Sequence, residues 1–179
     1  GLMDKFFDDA LTPSIETTRG CPYSCTFCVD GTAARSLIAH KSPEYVREEL
    51  EYIAARAKHS PVLNSCDLNF GMYKHDIHTA EVIRDIRKKY GWPERIYGST
   101  GKAQPQRIAE VARIINEGGA RVIRVGSSLQ SLSPQVLKAI ERKNLPLETL
   151  REMNRLDITD FTSFTEIIIP LPEETRESF

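Results

Sequence analysis

The stretch "RGCPYSCTFCVDG", residues 19–31, places three of the chain's four cysteines within eight residues. Cysteines that staple an extracellular scaffold are spread along the chain to join distant loops, whereas Cys21, Cys25 and Cys28 are clustered. Thiolates at C-x3-C-x2-C spacing can close around one soft metal centre. The spacing therefore predicts a metal centre in a reducing, cytoplasmic compartment rather than a disulfide framework.

Two kinds of metal centre fit three neighbouring cysteines. A structural zinc ion usually takes four ligands, commonly from two C-x2-C pairs or with histidines added. The sequence has no second pair, and the nearest histidine, His40, has no zinc-type spacing to the motif. A cubane iron–sulfur cluster has four irons, so three cysteines leave one iron open to a small molecule. We favour the open cluster, with a zinc-stabilised binding module and a four-ligand electron-transfer module as alternatives.

The fourth cysteine, Cys66, stands apart from the other three. Nothing near it in the sequence prepares a metal site, and free cysteine commonly behaves as a small hydrophobic residue. We expect Cys66 to be buried on a strand. The alternative, in which it supplies a fourth ligand, would close the cluster.

Strand and helix patterns alternate on both sides of the cysteines. Apolar and β-branched runs predict strands at 13–18, 62–70, 95–100, 121–130 and 161–170. Apolar positions at helical spacing predict helices at 42–58, 76–91, 105–119, 133–144 and 146–156. Such alternation implies parallel strands with right-handed crossovers, in a doubly wound sheet or in a complete or partial barrel. In both folds functional residues follow the strands, and the cysteines follow the first strand.

Local signals mark the ends of several of these helices. Ser42 and Ser133 stand where N-caps are expected, and Asp76 is a third candidate cap. Gly91 is expected to stop the helix that starts at Asp76.

Composition excludes several classes of protein. The chain has 179 residues, enough for one domain, and its net charge of −1 gives no indication of a nucleic-acid or membrane partner. Its apolar runs are too short to cross a bilayer, and the N-terminal stretch is too acidic for a signal peptide. The last residues resemble the start of a helix, so we expect the chain to be a piece of a longer protein.

The motif "ETTRGCPYSCTFC" (16–28) resembles the cluster-binding motif of the radical S-adenosylmethionine (radical SAM) superfamily, C-x3-C-x-aromatic-C. Three further segments, "CDLNFG" (66–71), "SSLQSLSPQVLKAIERKN" (127–144) and "TEIIIPLPEETRESF" (165–179), fall where that superfamily carries its second, fourth and fifth strands. Their sequences are most similar to those of the subgroup whose radical domain follows a cobalamin-binding domain. The resemblance covers nearly the whole chain.

The resemblance implies an α/β fold, a partial (β/α) parallel barrel of the radical SAM type with about five strands present. Residues 1–179 would form the radical SAM core domain, with an N-terminal cobalamin-binding domain and a C-terminal part outside this chain. Cys21, Cys25 and Cys28 would hold a [4Fe–4S] cluster whose open iron binds the amino and carboxylate groups of SAM. An electron donor such as flavodoxin or ferredoxin would reduce the cluster.

The expected reaction also follows from the resemblance. Reductive cleavage of SAM yields a 5′-deoxyadenosyl radical that abstracts hydrogen from a small-molecule substrate, and the protein positions the cofactors and excludes water. Within the cobalamin-dependent subgroup, methyl transfer to an unreactive carbon is the expected outcome. A radical rearrangement or oxidation is the alternative. No individual catalytic residue is predicted.

Six residues are candidates for contacting the cofactors, each with a structural alternative. Phe27 would either contact a flat ligand ring or pack within its own loop. Ile168 would either contact adenine or lie in the core as a strand residue. Asp67 and Asn69 share a strand face and need partners from a ligand pocket or from a neighbouring strand. In similar enzymes Gln130 and Arg142 lie near the ribose and carboxylate of SAM. The structural alternative for these positions is a capped helix with a solvated arginine. For the neighbouring Ser131 we favour the structural alternative.

A second motif, "DIHTAE" (76–81), is similar to the Asp-x-His-x-x-Gly pattern of cobalamin-binding domains. Glu81 stands at the glycine position, and the stretch opens an amphipathic helix. We therefore expect His75 and His78 to be surface residues and any cobalamin to be bound outside this chain.

Overall fold

Five short parallel strands follow one another across the sheet in chain order. The computed structural model describes residues 1–7, 11–57, 59–126, 128–149, 151 and 163–179. Strands β1 (Ser14–Ile15), β4 (Val62–Ser65) and β5 (Arg95–Tyr97) form a parallel sheet in the order β1–β4–β5. A bridge from Ile96 to Ile123 extends this sheet towards β6 (Val125–Gly126), which pairs in parallel with β7 (Ser163–Phe164). The predicted α/β fold with about five parallel strands is confirmed.

Helices connect these strands, and four of them lie wholly within the described residues. They are α1 (Pro43–Ala54), α2 (Asp76–Tyr90), α3 (Pro105–Ile115) and α4 (Pro134–Ala139). Two short 3-10 helices lie at Asp4–Phe6 and Ala33–Arg35. No helix among the described residues is both long enough and apolar enough to span a membrane.

Local chemistry explains where several helices begin and end. Ser42 caps α1 by accepting a hydrogen bond from the Tyr45 N–H at 3.2 Å, and Ser133 caps α4 in the same way. Gly91 ends α2 with φ at 71°, a left-handed conformation that glycine adopts without steric cost. These three predictions are confirmed.

The prediction for Asp76 as a cap is wrong. His75 occupies the N-cap of α2, and Asp76 is the first residue of the helix. The Asp76 carboxylate is fully buried and accepts a hydrogen bond from the Tyr73 N–H at 2.9 Å. It therefore holds the turn before the helix.

The core lies between the three-stranded sheet and the first three helices. Helix α2 packs against both α1 and α3, and apolar side chains from all three helices meet those of the strands. The fully buried residues of this core include Val46, Leu50, Leu63, Ile86 and Ile115. A separate, smaller cluster joins Val136, Ile140 and Leu171 beside α4.

Most elements are shorter than the sequence predicts. The strand predicted at 62–70 ends at Ser65, and the one at 121–130 retains only Val125–Gly126 as a ladder with isolated bridges beside it. The helix predicted at 133–144 ends at Ala139. Of the helix predicted at 146–156, residues 147–149 and 151 are helical, and 150 and 152–156 lie outside the described residues.

An antiparallel pair that the sequence analysis did not predict closes the loop that contains the cysteines. Strand β2 (Thr18–Arg19) pairs with β3 (Ala39–His40), with Thr18 opposite His40. The intervening segment, 20–38, is called the cysteine loop below. The β2–β3 pair holds the two ends of this loop together.

Candidate functional site

Glycines allow the cysteine loop to fold tightly. Gly20 has φ at 102°, and a Cβ there would lie 2.3 Å from the Leu37 carbonyl oxygen. The neighbouring Cys21 N–H donates to the Arg35 carbonyl oxygen at 2.8 Å. A side chain at position 20 would therefore push the first cysteine away from the opposite side of its loop.

Two consecutive turns place the other two cysteines. The Cys28 N–H donates to the Cys25 carbonyl oxygen, and the Gly31 N–H donates to the Cys28 carbonyl oxygen, each at 3.0 Å. A Cβ at Gly31 would lie 2.3 Å from the Cys25 oxygen. Cys25 is 4% exposed, whereas Cys21 and Cys28 are partly exposed. The loop thus presents three free thiols from one compact turn.

Side chains from other segments of the chain point donors at these sulfurs. The Asn69 Nδ2 donates to Cys21 Sγ at 3.4 Å. The Lys102 ammonium donates to Cys25 Sγ at 2.9 Å, and Arg142 Nη1 lies 3.9 Å from the same sulfur. A sulfur that ligates metal accepts such hydrogen bonds, and the donors tune the metal centre.

The thiols line a cavity of about 220 Å³ at the C-terminal ends of the strands. Segments that follow the other four parallel strands contribute to its wall. In chain order they supply Leu68 and Asn69, Ser99, Thr100 and Lys102, Ser128 and Gln130, and Glu166. Of the six residues predicted to contact cofactors, four line this cavity: Phe27, Asn69, Gln130 and Arg142. The structure therefore brings these four together with the three cysteines.

Gln130 lines this cavity, and its side chain has a buried acceptor without a partner among the described residues. Two backbone hydrogen bonds join Gln130 to the segment that follows β7. The Gln130 N–H donates to the Glu166 carbonyl oxygen at 2.9 Å, and the Gln130 carbonyl oxygen accepts from the Ile168 N–H at 3.0 Å. The side chain is 8% exposed, and within the described chain its Oε1 has no hydrogen-bond partner. A buried amide oxygen without a partner is costly, so a ligand N–H or O–H at this position would be stabilised.

Arg142 is buried rather than solvated. It is 7% exposed, its Nε donates to Asn144 Oδ1 at 2.9 Å, and its Nη2 donates to the Ser128 carbonyl oxygen. Asn144 in turn donates to the Leu129 oxygen at 2.8 Å. The guanidinium is thus fixed at the cavity wall after α4, and the structure does not support the alternative of a solvated arginine.

Asp67 and Ile168 lie away from the cavity wall. Asp67 is 2% exposed and accepts hydrogen bonds from the Thr17 N–H at 2.6 Å and the Thr18 N–H at 3.1 Å. Burial raises the pKa of this carboxyl, while the threonine donors oppose that rise. Ile168 packs against the small cluster of Val136, Ile140 and Leu171. Both residues therefore have structural partners, and their contact with a cofactor stays a prediction.

Ser131 has the structural role that the sequence analysis favours. It is buried, and its hydroxyl donates to Glu174 Oε1 at 3.1 Å.

Sequence reasoning missed Lys102 and Tyr23. Lys102 lies in the loop between β5 and α3, and its ammonium is 4.0 Å from the centre of the Tyr23 ring. Burial raises the pKa of the Tyr23 hydroxyl, which donates to the Met72 sulfur at 3.2 Å. The position of Lys102 just after a predicted parallel strand was the available signal, because such loops carry functional residues.

The prediction of a buried Cys66 on a strand is wrong. Its side chain is exposed and lies one residue beyond β4. Asp67 is turned inwards, and neighbouring side chains in an extended chain alternate between faces, so Cys66 faces outwards.

The prediction that His75 is a surface residue is also wrong. His75 is partly buried beside His40, with ring centres 3.5 Å apart, and its Nε2 lies 2.8 Å from Thr18 Oγ1. Burial lowers the pKa of His75 to about 4, with a further contribution from His40. Burial raises the pKa of the adjacent Asp76 carboxyl to about 6. His78 is exposed, as expected.

The sequence profile described as "Radical SAM superfamily" matches residues 15–179. Two curated relatives align over 165 residues, 92% of this chain. One is the 2-(S-pantetheinyl)-carbapenam-3-carboxylate methyltransferase of Streptantibioticus cattleyicolor, at 34% identity. The other is the cobalamin-dependent radical SAM methyltransferase TokK of Streptomyces tokunonensis, at 32%. The chain spans 24% of the length of each relative.

Two solved structures share the fold. The radical S-adenosylmethionine methyltransferase TsrM from Kitasatospora setae, with tryptophan substrate and a SAM analogue bound, superposes with a TM-score of 0.66 at 20% identity. That match covers 97% of this chain and 33% of TsrM. The cobalamin-dependent S-adenosylmethionine radical enzyme OxsB, with aqua-cobalamin bound, gives a TM-score of 0.59 at 20% identity and covers 87% of this chain and 23% of OxsB. The partial parallel barrel predicted from the sequence is confirmed.

Proposed function

This chain belongs to the radical SAM superfamily, and we propose that it is the catalytic core of a cobalamin-dependent radical SAM methyltransferase. The observation that carries the proposal is the cysteine loop, which presents Cys21, Cys25 and Cys28 to a cavity at the C-terminal ends of the strands. Two curated methyltransferases at 34% and 32% identity support the choice of reaction. Methyl transfer to an unreactive carbon of a small molecule is the activity we infer for the whole protein.

The donor set fits a [4Fe–4S] cluster with one open iron. Three thiols are available, and Cys66 is exposed beyond β4, where it lines no part of the cavity. Among the described residues, no three histidine, cysteine or acidic side chains converge so as to hold a single metal ion. A cubane does not require such convergence, because each cysteine ligates a different iron. The arrangement therefore fits a cluster better than a structural zinc.

The cluster, when bound, supplies one electron for the cleavage of SAM. The chain's own residues hold and surround it. Asn69 and Lys102 donate to the sulfurs of Cys21 and Cys25, and such contacts tune cluster chemistry. The unpartnered Gln130 Oε1 offers an acceptor to a donor group of the bound SAM, and the fixed Arg142 offers positive charge to its carboxylate. Phe27 lines the cavity beside the cysteines.

The remaining parts of the machinery lie outside residues 1–179 in this proposal. Cobalamin would be bound by a preceding domain, since the "DIHTAE" segment forms the start of α2 and packs in the core. An electron donor such as flavodoxin or ferredoxin would reduce the cluster in the cytoplasm. The two alternatives, a radical rearrangement and an electron-transfer module, are outcomes of the tests below.

Electron paramagnetic resonance tests the cluster assignment. The full-length protein is reconstituted anaerobically with iron and sulfide, reduced, and measured with and without SAM. We expect a cubane signal that changes when SAM is added, because SAM binds the open iron. A signal that SAM leaves unchanged would indicate an electron-transfer cluster. Bound zinc without iron would indicate a structural site.

Methyl-labelled SAM tests the reaction. With cobalamin, a reductant and candidate small-molecule substrates present, label is expected to appear in a product carbon. If SAM is cleaved and product forms but never carries label, the radical rearrangement or oxidation is the correct reaction.

A further inference from the structure

We propose that Lys102 is a positioning residue that acts through Cys25 to raise the reduction potential of the cluster. The inference rests on the proposed function, because it requires a cluster on Cys25. Its basis is the contact of 2.9 Å between the Lys102 ammonium and Cys25 Sγ, which joins residues 77 apart in sequence.

The ammonium is held on two sides. Its Nζ lies against Cys25 Sγ and at 4.0 Å from the centre of the Tyr23 ring, whose face attracts cations. Tyr23 is itself anchored by its hydrogen bond to Met72. The lysine is therefore aimed at one sulfur rather than free in the cavity.

The backbone beside Lys102 is also constrained. The Gly101 N–H donates to the Phe70 oxygen at 2.9 Å, and a Cβ at Gly101 would lie 2.6 Å from the Met72 Cβ. Only glycine fits at this close approach between two loops. The loop between β5 and α3 is thereby held against the segment that follows β4, which fixes where Lys102 begins.

The sulfurs of Cys21 and Cys25 have different electrostatic surroundings. The uncharged Asn69 amide donates to Cys21 Sγ, whereas the charged Lys102 ammonium donates to Cys25 Sγ. Arg142 Nη1 is more distant from Cys25, at 3.9 Å, and its other nitrogens donate to Asn144 and Ser128. Cys25 is 4% exposed, so water and salt screen the lysine charge weakly there. Lys102 is thus the cation with the strongest effect on this ligand.

Reduction of the cluster adds one negative charge to the irons and their thiolates. A fixed ammonium stabilises that extra charge more than it stabilises the oxidised state. A hydrogen bond to the sulfur acts in the same direction, because donors to cluster sulfurs raise the potential. Removal of the lysine charge should therefore make the cluster harder to reduce while its three ligands stay in place.

The test is a redox titration of the full-length protein without SAM, followed by electron paramagnetic resonance. Lys102→Met removes the charge and the donor, Lys102→Gln removes the charge alone, and Lys102→Arg retains both. Lys143→Met is the matched control, since it removes one positive charge from an exposed residue that does not line the cavity. Iron content and circular dichroism are measured for every variant.

At the wild-type midpoint potential, we expect the ratio of reduced to oxidised cluster to fall at least tenfold in Lys102→Met. A tenfold change corresponds to about 59 mV for a one-electron couple. The glutamine variant should show a large part of this shift, the arginine variant should recover most of the wild-type ratio, and Lys143→Met should leave it unchanged.

Several outcomes would overturn the proposal. One is an unchanged ratio of reduced to oxidised cluster in Lys102→Met, and another is an equal shift in Lys143→Met. A third is loss of iron or of fold in both Lys102→Met and Lys102→Gln, which would show that Lys102 is needed for folding or cluster assembly. A weaker affinity for SAM with an unchanged potential would assign the lysine to ligand binding instead. Absence of a cluster in the wild type would contradict the proposed function itself and is distinguished from these by the iron content.

Discussion

Residues 11–126 and the second region, 128–149 with 163–179, are held together by different forces. In the first region, helices α1 to α3 bury one continuous apolar cluster against β1, β4 and β5. In the second, the apolar cluster comprises Val136, Ile140 and Leu171 among the described residues. Polar contacts carry more of the second region, as in the bonds of Arg142 and Asn144 to the strand-end carbonyls of Ser128 and Leu129.

The comparison shows that the fold and the site depend on separate interactions. The cysteine loop is joined to the first region through Thr17 and Thr18, which donate to Asp67. It is joined to the second region through the Thr26 N–H, which donates to the Ile140 oxygen at 3.2 Å. Substitutions of the cysteines should therefore abolish binding of the iron–sulfur cluster without unfolding the chain, whereas substitutions in the large core should lower the free energy of unfolding.

The largest expected effect is on iron binding. Cys25→Ala should abolish bound iron and the visible absorption of the cluster, as should Cys21→Ala and Cys28→Ala, because each removes one of three ligands. Circular dichroism of the metal-free protein should be unchanged. Cys66→Ala is the matched control and should retain its iron. If Cys66→Ala also lost its iron, a four-ligand cluster would replace the open one.

The second prediction compares one substitution in the two regions. Ile115 and Ile140 are both completely buried, the first in the large cluster and the second in the small one. Ile115→Ala should lower the free energy of unfolding by about 2–5 kcal/mol, because its surroundings cannot collapse into the cavity. Ile140→Ala should cost no more than about 2 kcal/mol, since a small cluster relaxes more easily.

Urea denaturation of the metal-free protein measures both isoleucine variants. Equal costs at the two positions would show that the second region is packed as firmly as the first.

The third prediction concerns the link between the large core and the cysteine loop. Asp67→Ala removes the acceptor of the Thr17 and Thr18 N–H groups and leaves them buried without partners. The expected cost is about 1–3 kcal/mol in the free energy of unfolding, measured by urea denaturation. Asp85→Ala is the control, since Asp85 pairs with Arg47 and Arg84 at the surface and should cost less than about 1 kcal/mol. Similar costs for both would contradict the role of Asp67.

The smallest expected effect is a change in how stability depends on pH. The pKa of His75 is about 4 in the folded chain against 6.5 for an unperturbed histidine. The unfolded state therefore binds the proton first, and this residue makes stability rise with pH between about 4 and 6.5. The pKa of Asp76 is about 6 against 3.8, so the folded state binds that proton first. Asp76 makes stability fall as pH rises through about 3.8 to 6.

Single variants separate these two opposing contributions. Relative to the wild type, His75→Gln should make the Tm fall with rising pH between about 4 and 6, and Asp76→Asn should make it rise more steeply. Thermal unfolding of the metal-free protein at several pH values measures both slopes. If both variants changed the slope of Tm against pH in the same direction, the contributions of His75 and Asp76 would not oppose each other, which would contradict this prediction.

Some features of the fold could be predicted because their causes are local. The Ser42 and Ser133 caps each bond to a backbone N–H three residues away, and Gly91 stops α2 by its own conformation. The order of five parallel strands followed from alternating periodicities. Strand lengths did not follow, because Asp67 and Asn69 continue the apolar–polar alternation of a strand while the ladder itself ends at Ser65.

The candidate site was predicted in part. Phe27, Asn69, Gln130 and Arg142 line the cavity together with the cysteines, whereas Asp67 and Ile168 pack elsewhere. The same sequence pattern fits a polar residue that faces a ligand and one that bonds a neighbouring strand. Lys102 was missed because its position after a predicted strand marks the whole loop and does not single out one residue within it.

The three-cysteine motif, the glycines that let its loop close and the order of strands and helices could all be read from the amino-acid sequence. Each of these depends on residues near one another in the chain. The contacts of Asn69 with Cys21 and of Lys102 with Cys25 join residues 48 and 77 apart and arise from the packing of the strands and loops. Contacts at such separations depend on the register of the strands and on where each one ends, since a shift of one residue turns a side chain to the opposite face.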